Sequence, residues 1–166
     1  MSAESATFSL DEPKAYRPIL WGGLIVGILD ISAAFINSAL QTGRSPMWVL
    51  QSVASGLLGA DSYKGGLRSA ALGAVVHFTI ATTVCTVYYL ASRKLKFLVQ
   101  HAIASGLLYG VAVYLFMYFV VIPIAFNRGP SYPFRAIVTA LGIHMVCVGL
   151  PAALVIRRFS KEAEIV

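Results

Sequence analysis

The sequence predicts an all-α membrane protein: a four-span transmembrane helical bundle with a short interfacial or re-entrant helix between spans one and two. Three observations carry that expectation. Of 166 residues, 58% are hydrophobic and only 12% are charged, where a soluble domain has roughly 25% charged residues. The 13 Lys and Arg and the 7 Asp and Glu gather in short clusters between long apolar runs. Four of those runs reach the length of about 20 residues that a helix needs to cross a bilayer. Together these features exclude a soluble globular domain, a disordered chain and a disulfide scaffold.

Residues 1–18 are polar, contain Pro13 and read as a disordered cytoplasmic tail. The first span covers residues 19–42 and carries one charge, Asp30. A cleaved signal peptide is disfavoured there. The flank mixes Glu4, Asp11 and Glu12 with Lys14 and Arg17, and the apolar stretch is too long and is interrupted by Asp30. The connector, residues 46–59, opens on Ser45-Pro46, a cap residue followed by a first-turn proline. Met47, Leu50, Ala54 and Leu57 recur at helical spacing, with Gln51, Ser52 and Ser55 on another side. The stretch is too short to span, so it either lies on the membrane or re-enters it as a half-helix. Gly59 to Gly66 then reads as a turn-rich link.

The second span, residues 70–91, has no charge and one histidine, His77. The third, residues 97–126, starts near His101 and exceeds what a bilayer needs, so it tilts or projects, and Pro123 kinks it or ends it early. The fourth, residues 136–156, is uncharged and carries His144. Residues 19–157 form one domain, and residues 158–166 are a second cytoplasmic tail. Loop charge sets the orientation. The side holding both termini has eight Lys and Arg and the opposite side five, so both termini are expected in the cytoplasm. The net charge of +6 calls for anionic lipid at the span ends and no nucleic acid.

Spans two and four share a pattern. Each opens on an arginine, Arg68 or Arg135, and each carries a histidine nine residues on, after a Leu-Gly pair. Duplication of a two-helix unit is one origin for this. Flanking arginines also put Asp30 at the midpoint of its span, with His77 and His144 within a few residues of theirs, all within roughly 6 Å of the midplane at 1.5 Å per residue. A charge at that depth costs about 2.5–3.5 kcal/mol on insertion scales, so these groups should face inward. Small and polar stripes agree. In the first span Gly23, Gly27, Asp30, Ala34, Asn37 and Gln41 follow helical spacing. In the third, Gly106 and Gly110 form a second GxxxG near Tyr109, Tyr114 and Tyr118.

Asp30, His77 and His144, with Asn37, are therefore the candidate intramembrane site. Three readings are open: a hydrogen-bonded network that fixes packing, a proton- or ion-handling site, and metal or haem ligation. No helix carries a local ligand pair, and no cofactor is expected. Cys85 and Cys147 lie at different depths and are expected as free core residues. Phosphate loops, nucleophile elbows and Cys-x-x-Cys motifs are absent, so the chain is not expected to be an enzyme. A small proton- or ion-coupled transporter or channel subunit is the leading expectation. A non-catalytic subunit of a membrane complex is the alternative. Four spans are few for a transporter, so a homodimer through the GxxxG faces would complete one.

The stretch from Val75-Val76-His77-Phe78 to Tyr88-Tyr89 is similar to a span of uncharacterised bacterial inner-membrane proteins. So are the aromatic run from Gly110 to Pro123 and the final span from His144 to Ile156-Arg157-Arg158-Phe159. The chain most resembles the YagU family, or a related family of small four-span proteins, over roughly residues 20–160. The resemblance implies a bacterial inner-membrane location and a helical bundle, and brings no activity or catalytic residue.

Overall fold

The computed structural model describes residues 16–126 and 132–164. Most of the expected tail at residues 1–18, and Arg128 among the loop charges, lie outside the described residues. The described residues form helices and short links, with no strand among them. Four helices are long and apolar enough to cross a membrane: Tyr16–Thr42, Gly66–Lys94, Ala102–Phe126 and Phe134–Ser160. The chain is an all-α bundle of these four spans plus the connector helix Pro46–Leu58.

The element ends differ from the sequence reading in ways that physics explains. The expected third run divides at His101, whose φ of −107° and ψ of 44° break the helix between a short turn, Phe97–Gln100, and the span proper. The last helix runs on to Glu164 through most of the expected tail, because nothing in Arg157-Arg158-Phe159 stops it. Pro123 does not end the third span. A π-helical turn, Met117–Val121, precedes it, and the Ile122 N–H bonds the Met117 carbonyl five residues back. Pro151 is treated the same way in the fourth span, after a π-helical stretch at His144–Gly149, with the Leu150 N–H bonded to the Met145 carbonyl. A proline has no N–H and crowds the carbonyl four residues back. One widened turn absorbs both problems while the helix continues.

Small residues set which spans touch. Gly23 and Gly27 of the first span receive Thr82 and Phe78 of the second, and a Cβ on Gly27 would stand 2.5 Å from the Phe78 ring. Gly106 and Gly110 of the third span lie against the fourth at Gly149, Ala153 and the His144–Met145 backbone. Both GxxxG faces are thus consumed inside one chain, so neither is free to join two copies. The first span packs along the second and fourth, and the third along the fourth. Spans two and three are joined where Tyr109 Oη donates to the Val84 carbonyl at 2.8 Å, and Tyr88 Oη of span two donates at 3.0 Å to the Leu98 carbonyl in the short turn before span three.

The connector helix starts as its sequence dictates. Ser45 Oγ accepts from the Trp48 N–H, with Pro46 in the first turn. Its buried face mixes Val49 with small and polar residues. Gln51, Ala54 and Ser55 are buried while Met47 and Leu57 are exposed, because its outer side meets apolar surroundings. Gln51 donates to the Gly66 carbonyl and Ser69 Oγ on the second span, at 3.2 and 3.3 Å. Leu50 seats its backbone on Gly73. Gly73 lies seven residues inside that span's start, about 10 Å along the axis at 1.5 Å per residue. The connector therefore packs on the second span about two turns in from its start. Its far end reaches the third span, where Gly56 faces Ala125 and Phe126. Beside it Trp48 stacks on Tyr63 at 5.5 Å with Arg44 over its ring at 5.0 Å. The link Gly59–Lys64 is a 3₁₀ helix.

Candidate functional site

Asp30, His77 and His144 line one cavity of about 220 Å³. Each comes from a different span. Asp30 follows the Gly23–Gly27 contact by one turn, so the packing that docks the second span also turns Asp30 toward the interior. His77 lies one turn beyond Gly73, where the connector is seated. His144 begins the π-helical stretch that Pro151 requires. The connector contributes Val49 and Val53 to the same cavity, and the rest of the wall is apolar, Met117 included. The volume far exceeds the ~10–15 Å³ that one water needs.

The three groups share the cavity without bonding one another. His77 is buried, and its Nε2 stands 2.9 Å from the Gly27 carbonyl of the first span. A carbonyl only accepts, so Nε2 carries the proton, and in the neutral ring Nδ1 is left with a lone pair. His144 is the opposite tautomer. Its Nδ1 stands 2.8 Å from the Ala140 carbonyl of its own helix, which leaves Nε2 as the acceptor. Tyr114 covers its ring edge-on at 5.5 Å. The Asp30 carboxylate has no hydrogen-bond or ion-pair partner among the described residues.

Asn37 is not part of this cavity. It lies two turns beyond Asp30 and accepts a hydrogen bond from Gln41 of the same helix. Neighbouring amides on one helix satisfy each other more cheaply than they reach inward. Among the described residues, no group of three or more His, Cys, Asp or Glu side chains is placed to hold a metal ion. Cys85 and Cys147 are both free thiols. Sequence reasoning missed the aliphatic half of the site: Val49 and Val53 from the connector, and Val26, Val113 and Val148 from the spans. Valines among apolar neighbours carry no signal of their own. The aromatic partner of His144 was partly visible, since Tyr114 belongs to the third span's tyrosine series. Comparison of the chain with known protein families, curated proteins and solved structures found no match.

Proposed function

We propose that this chain is a multi-pass protein of the bacterial inner membrane that handles protons or small ions at the Asp30–His77–His144 cavity, as a small transporter or channel subunit. One observation carries the reading: three titratable side chains from three spans line one cavity at mid-span, and none neutralises another. A carboxylate in that position relieves its cost by taking a proton or a cation. Each histidine keeps one ring nitrogen as a free acceptor toward such a cargo. The connector lies against one side of the site, so its movement would open or close that side. Catalysis on a soluble substrate is not part of this reading, nor is a nucleic-acid partner.

A second reading, a structural or interaction subunit, is favoured by one contact. The His77 bond to the Gly27 carbonyl ties span two to span one as a packing device would. Proteoliposomes separate the two. With a pyranine-filled lumen and an imposed pH gradient, the wild type should pass protons, and Asp30→Asn, folded by size-exclusion profile, should not. Equal flux from wild type, Asp30→Asn and protein-free vesicles would reject the transport reading and leave the structural one.

A further inference from the structure

The inner cavity has an apolar neighbour. A second, apolar groove of about 540 Å³ runs between spans two and three, below the Tyr88–Tyr109 contact. Ile80, Val84, Val113 and Met117 line both the groove and the inner cavity. These four side chains are common to both walls. Val87 and Phe116, at the groove's outer rim, are exposed. The groove's threonines have no free donor, since Thr79 and Thr83 donate to the carbonyls of Val75 and Thr79 on their own helix. The wall includes Met117, a flexible side chain at the start of a π-helical turn.

The inner cavity has an unusual donor–acceptor balance. The Asp30 carboxylate, Nδ1 of His77 and Nε2 of His144 are all acceptors when the histidines are neutral. A primary ammonium is all donor, with three N–H groups and one positive charge. We propose that the groove and cavity together form a binding site for an amphipathic primary amine, reached from within the bilayer between spans two and three. The ammonium sits against Asp30 and the alkyl tail lies in the groove. Ile80, Val84, Val113 and Met117 part to admit it. The proposal rests on the reading of the cavity as a working site and names its substrate class.

Photo-crosslinking in lipid nanodiscs tests it. The probes are dodecylamine, dodecanol and dodecanoic acid, each with a terminal diazirine, and labelled residues are mapped by mass spectrometry. The amine should label the rim at Val87 and Phe116 saturably, and plain dodecylamine should compete it away. Asp30→Asn should cut that labelling about tenfold or more, the equivalent of one lost charge-assisted contact. Val113→Trp, which keeps Asp30 and plugs the wall, should cut it as well. Equal labelling by all three probes, indifferent to both substitutions, would mark a crevice filled by any lipid and overturn the proposal. The proton-flux assay keeps the two ideas apart. Asp30-dependent flux with charge-indifferent labelling overturns the amine site alone. Charge-selective labelling without flux supports the amine site and removes the proton path.

Discussion

Gly73→Ala should unseat the connector helix. A Cβ at this position would overlap the Leu50 carbonyl oxygen and stand 2.7 Å from the Leu50 carbonyl carbon and 3.3 Å from the Ala54 nitrogen. All three neighbours are backbone, so no rotamer change relieves the contact. Overpacking of this kind costs about 1–3 kcal/mol, and the replacement of a helical glycine by alanine returns about 0.8–1 kcal/mol. Gly142→Ala is the internal control. It lies in a helix with nothing within 4 Å of its would-be Cβ, so it keeps the propensity gain without the clash. The propensity contributions cancel between the two variants, which leaves a gap of about 1–3 kcal/mol set by overpacking alone. Reversible unfolding in mixed micelles, titrated with a denaturing detergent, measures it. A Gly73→Ala protein as stable as Gly142→Ala would refute the claim that the connector is seated on the second span.

Four further outcomes follow from the same geometry. His77→Ala should destabilise the fold more than His144→Ala in that assay, because it removes a bond between spans, worth about 0.5–1.5 kcal/mol net, where His144 bonds only its own helix. Asn37→Ala should stay within about 0.5 kcal/mol of wild type, since Asn37 holds only Gln41; a large loss would show that it reaches the cavity after all. Tyr109→Phe deletes the bond to the Val84 carbonyl, and should raise the labelling rate of a cysteine placed at Val87 by an apolar maleimide. On orientation, a cysteine at Ser2 should resist a membrane-impermeant reagent added to intact cells, and rapid labelling there would reverse the topology.

The spans were legible because apolar length and charge clustering are properties of the chain alone. Asp30, His77 and His144 were placed at one depth by counting from flanking arginines, and they do line a single cavity. Asn37 was not separable from them, because helical spacing puts it on the same stripe while depth and its Gln41 partner take it out of the site. The connector's capping was readable from Ser45-Pro46, but its inward face was not. The usual rule that apolar residues turn inward assumes water outside, and here Gln51 and Ser55 go in while Leu57 stays out. The two π-helical turns were foreshadowed only by Pro123 and Pro151, and a proline alone does not say whether a helix will stop, kink or widen. The inner partners of Gly106 and Gly110 were also hidden. A GxxxG states that a backbone comes close, and leaves open whether it belongs to the same chain.

The energetics of Asp30 weigh most in the choice between packing and transport. A site kept only for packing would satisfy its polar groups, since an unsatisfied one in a low-dielectric interior is costly. Two of the three groups meet that standard in part. His77 ties two spans and His144 folds back on its own helix, and both could be explained without any cargo. Asp30 differs from them: among the described residues it bonds nothing, and it lines a cavity with room for water or a cation. A charged carboxylate at a helix centre costs about 2.5–3.5 kcal/mol on insertion scales, a penalty that an alanine or leucine does not carry. Nothing in the helix packing requires that carboxylate, since Gly23 and Gly27 already dock span two. Asp30→Leu should then leave the bundle at least as stable as wild type. A loss of stability in that variant would mean that Asp30 supports the fold after all, and would return the cavity to the packing reading.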